Sequence, residues 1–127
     1  MSEHEIQQRI LLACGSGTTR LWRNNVGTGW AGQATQIRRR GMLAVEPGDV
    51  LVRNARPLHA GLCTGSSDLI GYRQIDGVAQ FVAIEVKSER GRPSPQQVQF
   101  LDHIQGAGGC AGIARSVDEA QSLLLFP

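Results

Sequence analysis

Two acidic residues and one lysine near the middle of the chain have the types and spacing needed for metal-dependent hydrolysis. Glu85 and Lys87 lie in the apolar, strand-like stretch FVAIEVKS, and Asp68 lies in a second such stretch, SDLIGYRQI. A divalent cation such as Mg²⁺ prefers one or two carboxylates and leaves positions for water and phosphate oxygens. A cation held there would polarise a phosphodiester and lower the pKa of a bound water. Lys87, the only lysine beside twelve arginines, would orient that water or stabilise the charged phosphorus centre with its compact ammonium group.

The dipeptide between the two stretches predicts how these side chains meet. Asp76-Gly77 favours a two-residue type I′ hairpin turn, and counting outward from it places Asp68 opposite Glu85. Facing residues point to one side of a sheet with Cβ atoms ~4.5–5.5 Å apart, and Lys87 shares that side. Two facing carboxylates are unfavourable unless a positive group lies between them, which favours a metal site. The alternative is that all three residues are ordinary charges of a strand and a turn.

The elements around this hairpin predict an α/β sandwich. Helical spacing of apolar residues predicts a helix over 3–14, and a second helix begins at Pro95 with Ser94 as its N-cap. Strands are predicted over 20–26, 67–75, 78–88 and 110–116, and a last helix over 117–126. Residues 27–65 are rich in glycine, and we expect loops there with short strands at 35–37 and 50–53. This order indicates a mixed central sheet flanked by helices in a single domain, residues 1–127.

Apolar residues occupy both faces of the hairpin strands, so we expect both faces to be buried. The face of the carboxylates would carry Ile70, Tyr72, Phe81 and Ala83, and the other face Leu69, Val82, Ile84 and Val86. Trp22 is also expected to pack in the core. Trp30, in the glycine-rich segment near Arg23 and Asn24, is expected to approach nucleic acid and to stack on a base.

Positive charge is concentrated in the first third of the chain, although the net charge is only +2. Residues 6–45 contain no acid, and six arginines lie there: Arg9, Arg20, Arg23, Arg38, Arg39 and Arg40. Such asymmetry is typical of a protein that binds a polyanion. The alternative is a solvated basic surface.

Composition argues against several other classes of protein. The polar start MSEHEIQQRI and the lack of a long apolar run predict a soluble, unprocessed protein without a membrane span. Cys14, Cys63 and Cys110 form no Cys-x-x-Cys pair, which favours a reducing cytoplasm. GTGWAG has the form G-x-G-x-x-G, but no apolar helix follows it, so we expect no nucleotide cofactor.

Three stretches carry a resemblance to a known family. GSSDLIG, FVAIEVKSERGRPSPQQVQFL and GGCAGIARSVDEA are similar to the virus-type replication-repair nuclease (VRR-NUC) family, a branch of the PD-(D/E)xK nucleases with a restriction-endonuclease-like α/β sandwich. The resemblance implies that Asp68, Glu85 and the backbone carbonyl of Val86 bind the metal. It also implies that Lys87 is the catalytic lysine.

Two further site residues follow from this resemblance. The family carries a glutamine on the helix after the Glu-x-Lys strand, which matches Gln97, although Ser94-Pro-Gln-Gln97 is equally a capping box. The family also carries a carboxylate on its first helix. Glu3 lies on the apolar stripe of that helix, whereas Glu5 lies four residues before Arg9, as in a surface ion pair, so Glu3 is the candidate.

These observations lead to one leading function and two alternatives. We expect a Mg²⁺- or Mn²⁺-dependent DNA endonuclease of phage or bacterial type. The resemblance to compact members of the family implies that it is structure-selective, cleaves branched DNA such as a Holliday junction and acts as a homodimer. The alternatives are a non-cleaving DNA-binding subunit of a repair complex and a nickase or flap nuclease. The expected DNA contacts are Arg23, Asn24, Arg38, Arg39, Arg40, Arg90 and Arg92.

Overall fold

The part of the chain described by the structure, residues 1–29, 33 and 35–125 of a computed structural model, contains three helices and six strands. In chain order they are α1 (Glu3–Cys14), β1 (Thr19–Arg23), β2 (Gly27–Thr28), β3 (His59–Ala60), β4 (Leu69–Ile75), β5 (Val78–Val86), α2 (Pro95–Gly106), β6 (Cys110–Ala114) and α3 (Val117–Leu125). Strands β1, β4, β5 and β6 form a sheet in that order, and β2 pairs with β3. Only β5 and β6 are parallel in the larger sheet, so the predicted mixed sheet is confirmed.

The hairpin of β4 and β5 has the predicted turn and register. Asp76-Gly77 forms the turn with φ values of 50° and 79°, and a type I′ turn requires positive φ at both positions. The ladder runs outward from the turn to the pair Leu69 and Ile84. The next facing positions beyond that pair are therefore those of the two predicted metal-binding carboxylates.

One face of the four-stranded sheet is buried beneath α1 and α3. Its core contains Ile6, Ile10, Cys14, Leu21, Leu69, Val82, Ile84, Val86, Cys110, Ala114 and Ala120. Ser2 begins α1 with a capping box, since its Oγ accepts a hydrogen bond from Glu5 N and its own N donates to Glu5 Oε2. The apolar stripe of α1 thereby faces the sheet, as its sequence predicts.

The other face is only partly covered. Helix α2 packs on the β5 and β6 side, where Leu101 contacts the cluster of Ala83 and Ala111. On the β1 and β4 side, Trp22 is 53% exposed and Tyr72 is 40% exposed. The prediction that this face is fully buried, with Trp22 in the core, is therefore wrong, because a single helix covers only half of the sheet.

The segment before the hairpin differs from its prediction. Residues 35–37 and 50–53 are not strands, and the apolar side chains there are exposed, with Val50 at 85%. A strand needs a hydrogen-bonded neighbour, and β-branched residues alone do not supply one. The first strand is also shorter than predicted and ends at Arg23.

The chain divides into two compact units. The first unit comprises Met1–Gly27 and the chain from Ala60 onward, and it contains the four-stranded sheet and the three helices. The second comprises residues 28–59. The base-stacking prediction for Trp30 and the last predicted helical residue, Phe126, fall outside the described residues. Within the described residues, no helix is long and apolar enough to cross a membrane.

Candidate active site

The end of the hairpin opposite its turn brings together the predicted acidic residues and the lysine. Lys87 Nζ lies 3.2 Å from Glu85 Oε1, and the two side chains are 12% and 1% exposed. Asp68 precedes β4, and its Oδ2 accepts a hydrogen bond of 2.9 Å from Val86 N. The four residues predicted to hold and use a metal therefore form one cluster.

The two carboxyl groups of the cluster oppose each other's ionisation. Burial, first, and the negative charge of Asp68, second, raise the pKa of Glu85 to about 7, whereas the hydrogen bond and charge of Lys87 act in the opposite direction. The negative charge of Asp68 therefore disfavours the ionised form of Glu85. A single lysine thus offsets only part of the negative charge of this pair.

The donor set at this point fits a hard divalent cation. Glu85 Oε2 is buried and has no hydrogen-bond donor among the described residues. A buried carboxylate oxygen without a partner is costly, and a cation bound there would satisfy it. The described part of the chain contains no group of three or more His, Cys, Asp or Glu side chains arranged for a metal. The candidate is therefore a two-carboxylate site that other oxygens complete, as is common for Mg²⁺.

Asn24 holds the segment that leads into Asp68. Its side chain is buried, and its Nδ2 donates 2.8 Å hydrogen bonds to Ser66 Oγ and to the carbonyl oxygen of Ser67. Its Oδ1 accepts from Leu62 N at 3.1 Å, and its backbone N donates to the carbonyl of Asp68 at 2.7 Å. Asn24 was expected to contact DNA, but these bonds occupy its side chain within the protein and suit it to positioning Asp68.

The turn after Lys87 is held from both sides. Glu3 Oε1 accepts a hydrogen bond from Ser88 N at 3.4 Å, whereas Glu5 is used in the N-cap of α1. Arg115 Nη1 donates to the carbonyl oxygens of Ser88 and Gly91 at 2.7 and 2.5 Å. Of the two glutamates of the first helix, Glu3 is therefore the one that reaches the end of β5.

Arg115 is a further residue of this region that the sequence motifs do not indicate, although the order of the elements carries a signal for it. It follows β6, which is parallel to β5, and Lys87 N donates to the carbonyl oxygen of Ala114 at 3.2 Å. Parallel strands end at the same edge of a sheet. A residue directly after β6 therefore lies beside residues directly after β5. The predicted succession of strand, helix and strand, which is typical of parallel neighbours, could have suggested this neighbour.

Gln97 occupies the third position of α2 and caps that helix. Its Oε1 accepts from Ser94 N at 2.8 Å, and Ser94 Oγ accepts from Gln97 N at 3.2 Å. The first turn of α2 lies against the segment before Asp68, because a Cβ on Gly65 would come within 2.7 Å of Gln96 Cβ. Gly65 has φ +83°, so glycine suits this position in conformation as well as in space.

The arginines that were predicted to contact DNA lie in three different parts of the chain. Arg90 and Arg92 are exposed on the segment between Lys87 and α2. Arg23 is exposed at the end of β1, and its Nη2 lies 3.0 Å from Nδ1 of His4. Residues 38–40, all arginines, are exposed within the second unit. Among the arginines predicted to contact DNA, Arg90 and Arg92 are thus the ones that lie nearest to Lys87 along the chain.

The fold and the site together define the class of protein. A mixed sheet between helices, with one aspartate and a Glu-x-Lys sequence at the end of a central hairpin, is the arrangement of the PD-(D/E)xK nucleases. A sequence model of the VRR-NUC domain matches residues 5–118, and the chain belongs to this family. The predicted family and fold class are thereby confirmed.

Membership of this family makes the protein a nuclease, that is, a hydrolase that acts on DNA. Nucleases of the PD-(D/E)xK type generally use divalent metal ions, which agrees with the donor set described above. Comparisons with curated proteins and with solved structures gave no match.

Proposed function

We propose that this nuclease is a Mg²⁺- or Mn²⁺-dependent endonuclease that cleaves branched DNA such as a four-way junction. The observation that carries the proposal is the buried Glu85 Oε2, which has no donor among the described residues, beside the carboxylate of Asp68. An unpartnered buried polar atom is destabilising, and a divalent cation bound at this oxygen would satisfy it. The Val86 carbonyl is the third candidate ligand.

Each residue of the cluster has a distinct task in the proposed reaction. Hydrolysis joins a water oxygen to phosphorus and breaks one P–O ester bond, so negative charge builds up on the phosphate oxygens. A bound divalent cation supplies Lewis acidity toward the phosphate and lowers the pKa of water. Lys87 holds its ammonium group at the carboxylates, where it can orient the attacking water and stabilise the added charge.

The surroundings of the cluster support its use on DNA. Arg90 and Arg92 extend from the segment after Lys87 and are free to bind phosphates on either side of the cleaved bond. Glu3 and Gln97 complete the candidate catalytic set, Glu3 through its bond to Ser88 N. Residues 28–59, with three consecutive arginines, add positive charge for the DNA backbone. All three cysteines are free, which supports a reducing cytoplasm as the place of action.

A homodimer is the form in which the protein would act on a junction. A four-way junction has approximate two-fold symmetry, and a two-fold dimer presents two equal active sites to it. Two symmetric cuts then separate the junction into two duplexes. A monomer, in contrast, would favour a single cut in a nicked or flapped substrate.

The test is a cleavage panel run beside a measurement of oligomeric state. Four-way junction, flap, nicked and linear duplex DNA are each incubated with the protein and Mg²⁺, Mn²⁺ or EDTA. We expect paired cuts in the junction, cleavage only with a metal, and none from Asp68→Ala. Equal cleavage of all four substrates would contradict structure selectivity. If the unmodified protein bound junctions but cleaved none of them with either metal, the non-cleaving DNA-binding alternative would be favoured.

A further inference from the structure

Half of one sheet face is open to solvent and carries aromatic side chains. The strand register pairs Trp22 with Ile70, and Tyr72 with both Arg20 and Phe81. Directly facing residues of antiparallel strands point to the same side of a sheet, so all of these side chains share one face. We call Trp22, Tyr72 and Phe81 the aromatic face. Each of the three is at least 39% exposed.

The two larger rings of the aromatic face lie next to each other. The ring centroids of Trp22 and Tyr72 are 6.0 Å apart with an angle of 51° between the planes. This is an ordinary spacing for a pair of aromatic side chains. The pair therefore forms one aromatic patch, and about half of each side chain remains exposed to a ligand.

The aromatic face is continuous with the active site. Side chains alternate along a strand, so Asp68, Ile70 and Tyr72 point to the same side of the sheet. Tyr72 lies four residues from Asp68, a distance of ~13 Å along the strand. At ~3.4 Å per stacked nucleotide, only about four nucleotides separate the two points. A strand that crosses the carboxylates can therefore reach the aromatic rings.

The charge of this face favours a polyanion. Arg20 is exposed and faces Tyr72 across the β1 and β4 ladder, so its guanidinium group lies on the same side of the sheet as the aromatic rings. Among the strands that form this face, Glu85 is the only acid, and it belongs to the active site. A ligand that runs from Tyr72 toward Asp68 would therefore meet aromatic rings and the guanidinium group of Arg20, and no carboxylate of these strands before the metal site.

We infer that the aromatic face binds unpaired bases of the DNA substrate beside the bond that is cut. The inference rests on the proposed nuclease function and specifies its substrate as DNA with unpaired bases near the cleavage site. Bases stack on aromatic side chains with little sequence preference, and a four-stranded sheet with exposed aromatic residues can hold two or three bases in this way. Paired bases inside a duplex cannot stack on Trp22 or Tyr72. Flaps supply such bases directly, and a four-way junction supplies them when the base pairs at its centre open.

Binding is measured first without metal, so that cleavage cannot interfere. A fluorescently labelled dT oligonucleotide and a duplex of equal length are titrated with the unmodified protein, Trp22→Ala and Tyr72→Ala. We expect each substitution to raise the Kd for single-stranded dT about tenfold and to change the Kd for duplex less than about twofold. Trp22→Phe should restore most of the binding. Leu12→Ala, which truncates an exposed apolar residue on α1, serves as the matched control and should bind like the parent.

A second measurement leaves the aromatic face intact. In a Trp30→Phe protein, Trp22 is the only tryptophan, and its emission should be quenched by dT but not by duplex. The inference would be overturned if Trp22→Ala and Tyr72→Ala lost affinity equally for single-stranded dT and for duplex. It would also be overturned if dT did not quench the Trp22 emission. A change from dimer to monomer in Trp22→Ala would also overturn it, since the face would then bind a second copy of the chain.

The outcomes separate this inference from the proposed function. If the parent protein cleaves no branched DNA but the Trp22 emission of the Trp30→Phe protein responds to dT, then the proposed function fails and the base-binding face stands. If the parent cleaves flaps and junctions and Trp22→Ala cleaves them equally well, then the nuclease assignment stands and the base-binding face fails. If the proposed function and this inference are both correct, Trp22→Ala loses cleavage of branched DNA and keeps the melting temperature of the parent.

Discussion

Lys87 Nζ lies 3.2 Å from Glu85 Oε1, although the opposite oxygen of the same carboxylate is buried with no donor among the described residues. The lysine therefore neutralises one side of Glu85 and leaves the other side for a cation. This division separates two tasks, metal binding by the carboxylates and charge stabilisation by the ammonium group. The two tasks can be removed independently.

The substitution Lys87→Ala should abolish catalysis and leave DNA binding intact. We expect cleavage of a branched substrate to fall at least ~100-fold, as when one donor to a charged transition state is lost. Affinity for uncleaved DNA in EDTA should change little, because Lys87 is only 12% exposed. Lys87→Arg tests the chemistry of the side chain and should not restore the rate, since a planar guanidinium cannot replace a compact ammonium. Undiminished cleavage by Lys87→Ala would refute the assignment.

The metal-free protein should become more stable when Glu85 is neutralised. The pKa of Glu85 is about 7 in the folded chain, whereas an unfolded glutamate loses its proton near pH ~4.3. Between these pH values the folded state binds more protons than the unfolded state. The contribution of Glu85 to the free energy of unfolding therefore falls as the pH rises toward 7. At pH 8, Glu85→Gln should be more stable than the parent by ~2 kcal/mol, with no difference near pH ~4.

Urea unfolding in EDTA at the two pH values checks this expectation. Glu89→Gln is the matched control, because Glu89 is exposed four residues further along the chain. It should leave the free energy of unfolding unchanged at both pH values. A Glu85→Gln protein that is less stable than the parent at pH 8 would show that the carboxylate is satisfied without a cation.

Metal affinity should depend on pH for the same reason. Burial and the charge of Asp68 raise the pKa of Glu85 to about 7, and a cation can bind only the ionised carboxylate. The apparent Kd for Mn²⁺ should therefore be about tenfold weaker at pH 6 than at pH 8, with about one proton released per ion at pH 6. Calorimetric titrations in two buffers of different ionisation enthalpy measure both quantities. A Kd that is constant over this range would contradict a site at Glu85.

The hairpin could be predicted from sequence because its determinants are local. Asp76-Gly77 sets the turn, the turn sets the register, and the register brings Asp68 to Glu85. No distant contact is needed for any of these steps. The same holds for α2, whose start at Pro95 follows from the adjacent N-cap, Ser94.

Features that depend on distant contacts could not be predicted in this way. The partners of Asn24 lie about forty residues further along, in a segment without hydrophobic periodicity, so its burial leaves no local signal. The exposure of Trp22 depends on how much of the sheet α2 covers, which is a property of three-dimensional packing. Both residues gained a new interpretation from the structure, Asn24 as a positioning residue and Trp22 as a surface residue.

Substitution Asn24→Ala should weaken metal binding although Asn24 is not a candidate ligand. It removes three side-chain hydrogen bonds that hold the segment before Asp68. We expect a loss of ~2 kcal/mol in stability, since buried donors and acceptors lose their partners. Asn25→Ala is the matched control, because Asn25 is the exposed neighbour of the same residue type. If Asn24→Ala lowered the melting temperature but kept the parent Kd for Mn²⁺, its role would be purely structural.

Gln97 offers a way to separate helix capping from catalysis within one side chain. Its Oε1 accepts a hydrogen bond from Ser94 N, and glutamate makes the same capping bond. Gln97→Glu should therefore keep the melting temperature, whereas Gln97→Ala should lower stability by ~1 kcal/mol. If the amide NH₂ group also donates to the substrate or to the attacking water, then cleavage falls in both variants. Thermal unfolding and cleavage rates measured on the two proteins distinguish the roles, and full activity in Gln97→Glu would leave Gln97 with capping alone.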